Sequence, residues 1–209
     1  MRGSYRCFND WCRKMLSLIV LAAGKSARMK GHNKLLATVQ GKPMIRHVVE
    51  AALNSKVDET IVVLGWEENE VREVLADLHC RLIVNREFEN GQSSSLKAGL
   101  KGIDQETRAV LILPGDMAKI DSLSINKVVD SYILNGGTII VAAHNGKHGH
   151  PILLDRKLFG DIAQVTEETY GLKSIVKKHE DEVRLVEVGT DNVLRDVDTP
   201  DDLEHLTSS

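Results

Sequence analysis

The chain has 209 residues, 42% of them hydrophobic, which is enough for one sizeable core and offers no sign of a second. A net charge of −3 excludes the strongly basic surface of a nonspecific nucleic-acid binder, and no uncharged apolar run is long enough to cross a membrane. Three cysteines, Cys7, Cys12 and Cys80, form no framework of spacings, so reduced thiols and a cytoplasmic protein are expected.

Residues 1–14 lack the periodicity of the rest of the chain and read as an N-terminal extension, a candidate for disorder, ahead of a domain over 15–209. Arg13-Lys14 before a short apolar run imitates a secretory signal, but removing that run would delete the first strand of the sheet. The run itself, Leu18 to Ala23, has six apolar residues and predicts a strand covered on both faces. It breaks at Gly24, where a residue without a side chain lets backbone amides face an anion, and Arg28 and Lys34 follow as counter-charges. This is a phosphate loop by composition. It is not a Walker loop, because six residues separate Gly24 from Gly31 and His32 follows; nor is it the dinucleotide fingerprint, which needs three glycines where this loop has one.

Pro43 to Asn54 carries Met44, Ile45, Val48, Val49, Ala52 and Leu53 at helical spacing. Strand Glu59–Leu64, helix Glu68–Ala76 and strand Cys80–Val84 follow, and this alternation predicts a parallel sheet. A helix from Ser93 to Ser95 through Leu100, its serines composed as an N-cap, leads into strand Ala109–Leu113, which ends at Pro114-Gly115-Asp116. Ligands bind open α/β sheets at the carboxyl ends of the strands, so Asp116 and Gly24 are expected to meet. Helix Ser122–Leu134 precedes strand Thr138–Ala143, then a turn-rich stretch Asn145–Gly149 and strand Pro151–Leu154, whose short connection predicts an antiparallel pair. Helix Leu172–Lys178, strand Val183–Val188 and a terminal helix from about Pro200, capped by Asp198 or Thr199, complete the chain. The fold class expected is a single-domain, Rossmann-like α/β three-layer sandwich with a mixed, mostly parallel sheet of about seven strands.

Five motifs in order resemble one family. Leu21, Ala22, Ala23, Gly24, Ser26, Arg28, Met29 and Lys34 match the loop of the MobA-like nucleotidyltransferases, with the departure that Lys30 precedes Gly31 where the family has its glycine directly after the methionine. Asn90-Gly91 to Ser95-Leu96 and Gly99-Leu100, then Leu113 to Met117, Gly149-His150-Pro151, and Asp196-Val-Asp198-Thr-Pro-Asp-Asp202 continue the likeness. Of the family's Gly-Asp-x-Gly-(Ala/Leu)-Arg only Gly171, Leu172 and the basic Lys173 remain. The resemblance implies the nucleotide-diphospho-sugar transferase (GT-A-like) fold and transfer of a nucleoside monophosphate from a nucleoside triphosphate to a phosphorylated acceptor. It implies Asp116 and Asp198 on Mg²⁺, Lys34 and Arg28 on the phosphates, with Lys34, Arg28 and Asp116 as the catalytic set. Leu21 to Gly24, Ser26, Gly91 and Ser95 fall around the nucleotide, and His150, Gly171 and Lys173 at the acceptor.

Leu-Ala-Ala-Gly resembles the molybdenum cofactor cytidylyltransferases, which implies CTP, molybdopterin cofactor as acceptor and transient contact with a molybdoenzyme. The alternatives are a transferase acting on a sugar phosphate or polyol phosphate, and a nonenzymatic nucleotide-binding partner in molybdoenzyme maturation. Two close carboxylates give a physical reason for the cation, since without one they raise each other's pKa. The residues offer no nucleophile: the serines near Gly91 form no Gly-x-Ser-x-Gly elbow. His144, His148 and His150 have no acidic or cysteine ligand close in sequence that would make a zinc site.

Overall fold

The computed structural model describes residues 15–25, 33–167, 171–197, 199 and 202. Its sheet contains β1 (Met15–Ala22), β4 (Glu59–Leu64), β5 (Arg81–Val84), β6 (Thr107–Pro114), β7 (Ile139–His144), β8 (Lys147–Asp155) and β9 (Val183–Glu187), in the order β5-β4-β1-β6-β8-β7-β9. Pairs β5-β4, β4-β1, β1-β6 and β7-β9 are parallel; β8 runs antiparallel to both β6 and β7. The seven-stranded, mostly parallel mixed sheet expected from the alternation of elements is the one observed.

Period-two alternation assigns the central strands to two cores. Leu18, Val20 and Ala22 of β1, with Leu111 and Leu113 of β6, pack on one face beneath α1 (Met44–Leu53) and α4 (Ser122–Asn135). Ile19, Val110 and Ile112 pack on the other, with Leu96 of α3 (Gln92–Gly102), Ile162 of α5 (Phe159–Gln164) and Ile175 of α6 (Leu172–Lys178). Both faces are covered, so these strands carry continuous apolar runs, and each fully buried Leu, Ile or Val contributes roughly 1.5–3 kcal/mol. A short helix, α2 (Glu68–Val74), closes the first face through Val71.

Three local features depart from the sequence expectation. A small hairpin, β2 (Thr38–Val39) with β3 (Lys42–Pro43), turns through Gln40 and Gly41 at φ +47° and +81°; two-residue strands are too short to leave a pattern. The turn-rich stretch after β7 is confined to Asn145 and Gly146, at φ +51° and +73°. Strand β8 therefore begins at Lys147 rather than Pro151, pairing His148 with Ala143. Helix α5 has six residues, too few for a helical period to stand out.

The terminal helix expected from Pro200 lies outside the described residues apart from Asp202, whose carboxylate accepts from Thr199 N and Oγ1 at 2.8 and 2.7 Å. Asp202 N in turn donates to Thr199 Oγ1 at 3.2 Å, the reciprocal pairing of a capping box. No helix among the described residues is long and apolar enough to cross a membrane.

Candidate active site

The carboxyl ends of β1 and β6 lie side by side, and the Gly115 N–H donates to the Leu21 carbonyl at 2.9 Å. This brings Gly24 and Asp116 to one edge of the sheet, as the strand order requires. Asn33 caps the turn Lys34–Leu36 by accepting from Leu35 N at 3.1 Å, and Leu35 buries its side chain, so Lys34 is presented toward the cleft. Lys34 Nζ lies 2.5 Å from Asp116 Oδ2, both side chains 15% exposed. Asp116 Oδ1 is buried with no hydrogen-bond partner among the described residues. A carboxylate oxygen so placed is a donor that suits a hard cation.

Two cavities meet at this carboxylate. One, of about 450 Å³, is lined by Leu21, Ala23, Gly24, Lys25, Lys34, Gly91, Ser95 and Asp116. The other, of about 1200 Å³, shares Leu21 and Asp116 and adds His148, His150, Glu167, Lys173, Lys177 and Asp196 over an apolar floor that includes Leu96, Ile152, Leu172 and Val176. Of the residues singled out for the nucleotide, Leu21, Ala23, Gly24, Lys34, Gly91 and Ser95 share the smaller cavity, while Ala22 is buried in the core below it. Ser26 and Arg28 lie outside the described residues. Among the described residues, a Cβ on Gly24 would meet nothing within 4 Å. What the glycine leaves is open space along the cavity wall.

At the start of α3 the N-cap is Gly91 at φ +86°, not a serine. A Cβ there would sit 2.2 Å from Glu167 Cγ, and Glu167 Oε1 accepts the Ser93 N–H at 2.5 Å. An added methyl would therefore displace Glu167 as well as strain the turn. The serines are engaged by Asn85, the residue just past β5: its Nδ2 donates to Ser94 Oγ at 2.8 Å and to Ser95 Oγ at 3.0 Å. Glu167, in the wall of the larger cavity, and Asn85, which holds the serines, are residues that the motifs did not reveal. A polar residue directly after a buried strand, at the ligand-binding edge, is the signal that could have found Asn85.

On the acceptor side, His150 and Lys173 line the larger cavity, whereas Gly171 starts α6 and donates its N–H to Thr166 O at 3.0 Å. Burial, opposed by Asp196 and reinforced by Lys173, pushes the His150 pKa down to about 4. The imidazole is therefore neutral at pH 7, and anion attraction in this cavity rests on Lys173 and Lys177. In the unfolded chain His150 titrates at pH ~6.5. Between that value and about 4 the unfolded chain holds the extra proton, so stability attributable to His150 falls as pH is lowered through this window. Urea unfolding at about pH 7.5 and about pH 5 should show a larger acid loss for the wild type than for His150→Asn.

Gly149 shows why the Gly-His-Pro stretch begins with glycine. A Cβ at this position would lie 2.3 Å from the Val193 carbonyl oxygen. Val193 belongs to the segment leading to Val197, whose N–H donates to Asp116 O at 3.2 Å and whose side chain packs with Val39, Met44 and Ala118. Gly149→Ala should cost roughly 1–3 kcal/mol in denaturant unfolding and displace this segment from Asp116. Asp198 itself lies outside the described residues. Among the described residues no group of three or more His, Cys, Asp or Glu side chains is placed to hold a metal ion.

The chain is 34% identical over 125 residues to the bifunctional protein GlmU of Desulfotalea psychrophila, covering 59% of this chain and 37% of that protein. It spans about a third of the length of the curated relatives it matches. The structure of Rv0371c from Mycobacterium tuberculosis H37Rv is similar with a TM-score of 0.81, at 26% identity, covering 94% of this chain and 98% of that one. Its complex with manganese scores 0.76 at 24% identity, covering 94% and 99%. The CMP:2-keto-3-deoxy-manno-octonic acid synthetase complexed with CTP shares the fold at a TM-score of 0.76 and 18% identity, covering 93% and 98%. The sequence pattern of the MobA-like NTP transferase domain matches residues 18–183, and the chain belongs to that family.

Proposed function

We propose that the chain transfers a nucleoside monophosphate from a nucleoside triphosphate, CTP in the first instance, to a phosphorylated acceptor, molybdopterin cofactor in the first instance, with release of pyrophosphate. The observation that carries this reading is the position of Asp116, at the junction of two cavities and paired with Lys34. One cavity suits the nucleotide and the other the acceptor, so both substrates would present phosphates to the same carboxylate. Mg²⁺ held by Asp116, with Asp198 as the second ligand implied by the family likeness, would supply positive charge where the phosphates converge.

The chain's own residues then position and neutralise. Lys34 would turn from Asp116 to the α-phosphate, and Arg28 and the amides near Gly24 would take the outer phosphates. An ionised oxygen of the acceptor phosphate attacks the α-phosphorus, and the bond from it to the bridging oxygen breaks with the electron pair leaving on pyrophosphate. No general base is needed, since the nucleophile carries no proton at neutral pH. The neutral His150 and the apolar floor of the larger cavity, with Lys173 and Lys177 at hand, favour an acceptor with a flat, weakly polar body and an anionic group. This supports a pterin phosphate over a polyol phosphate. For the base, Ala23 lines the cavity, and a pyrimidine is the base that would tolerate alanine in place of glycine at that point.

The test is pyrophosphate release from CTP, GTP, ATP and UTP with Mg²⁺, with and without molybdopterin cofactor, a sugar phosphate or a polyol phosphate. Release with CTP and the cofactor alone is the expected result. Release with a sugar or polyol phosphate would reassign the acceptor, and nucleotide binding without release under any pairing would favour the binding-partner role.

A further inference from the structure

Asn85 is buried, 6% exposed, and its hydrogen bonds have a defined direction. The Glu87 backbone N–H, which can only donate, meets Asn85 Oδ1 at 3.0 Å. This fixes the amide orientation, because the opposite flip would set two donors against each other. Nδ2 must therefore face the serines and donate to both, at 2.8 Å to Ser94 Oγ and 3.0 Å to Ser95 Oγ. Ser94 passes its own proton to the Gly91 and Glu87 carbonyls, at 2.8 and 2.9 Å. Ser95 is different. Its oxygen accepts from Asn85, it is 5% exposed, it lines the 450 Å³ cavity, and among the described residues its proton has no acceptor.

We infer that Asn85 is a positioning residue that makes Ser95 a hydrogen-bond donor into the nucleotide cavity, selecting bases that present a carbonyl oxygen or unprotonated ring nitrogen at that point. This rests on the cavity being the nucleotide site, as proposed above. The selectivity comes from polarity rather than size. A base offering an N–H at the same place would set donor against donor and leave a buried polar group unpaired, a loss of roughly tenfold or more in affinity. The device sits outside the phosphate loop, so it would act on the choice of base and leave triphosphate binding alone.

Asn85→Asp tests the polarity with almost no change of shape. A carboxylate keeps the Glu87 contact but can only accept, so Ser95 must spend its proton on residue 85 and turn lone pairs to the ligand. Dissociation constants for CTP, UTP, GTP and ATP, measured by calorimetry without acceptor, are compared for wild type, Asn85→Asp, Ser95→Ala and the double variant. The expected result is about a tenfold or greater loss for the preferred nucleotide in Asn85→Asp, a smaller change for the others, and less than about a twofold further effect of Asn85→Asp once Ser95 is alanine. Equal weakening of all four nucleotides, or an unchanged Asn85→Asp effect in the Ser95→Ala background, would overturn the inference and leave Asn85 a purely structural residue. If Asn85→Asp does not fold, Ser95→Ala alone decides, since unaltered base preference in that variant also overturns it. A wild type that binds none of the four nucleotides overturns the nucleotidyltransferase reading itself, and the inference with it.

Discussion

Asp116→Asn is expected to remove metal-dependent pyrophosphate release, lowering turnover at saturating nucleotide by roughly 10²–10³-fold while leaving the fold in place. The asparagine keeps the volume and the Lys34 contact but loses the charge that a hard cation requires. Asp116 follows the end of β6, where the Gly115 amide is held to β1 and Val197 is held to the Asp116 carbonyl by backbone hydrogen bonds that the substitution does not touch. Unfolding midpoints should therefore move little, and Mn²⁺ binding, read by magnetic resonance, should weaken in parallel with turnover. Asp198→Asn, at the second proposed ligand, is expected to behave likewise. Near-normal rates in both variants would eliminate the metal assignment.

Lys34→Ala should reduce turnover at saturating CTP by a similar factor of about 10², because an ammonium in the role proposed for Lys34 would act where charge develops during transfer. The measurement that distinguishes this from a structural role is the division between kcat and KM. A lysine that merely neutralised Asp116 in the resting protein would, when removed, alter stability or metal affinity but not the rate at saturation. The 3-10 turn that presents Lys34 is secured by Asn33 and Leu35, neither of which depends on the lysine side chain. Loss of rate with an unchanged unfolding curve is the outcome that places Lys34 on the substrate.

How much of the molecule was legible in the chain varies with the range of the interaction concerned. The buried strands could be read because both faces are covered and Leu18 to Ala23 or Ala109 to Leu113 carry no polar residue to contradict them. The antiparallel pairing of β7 and β8 followed from connection length alone, although the strand started earlier than expected because the turn closed in two residues. The plain serine cap at α3, the alternative to a nucleotide contact, is not what forms. Ser93 to Ser95 has the composition of a cap, but Gly91 takes the capping position while Glu167, some seventy residues away, supplies the carboxylate to Ser93 N.

By itself the sequence determined the layer architecture and the family, and it predicted that Gly24 and Asp116 share one edge of the sheet, since hydrophobic period, glycine position and strand-end acid are local properties of the chain. The tertiary structure alone decided that Lys34 pairs with Asp116, that Gly149 makes room for the Val193 carbonyl, and that Asn85 sets the direction of the hydrogen bond at Ser95. Each of these joins residues from different elements at distances of a few ångströms, and short-range pattern carries no information about such contacts until packing has fixed which strand ends lie together.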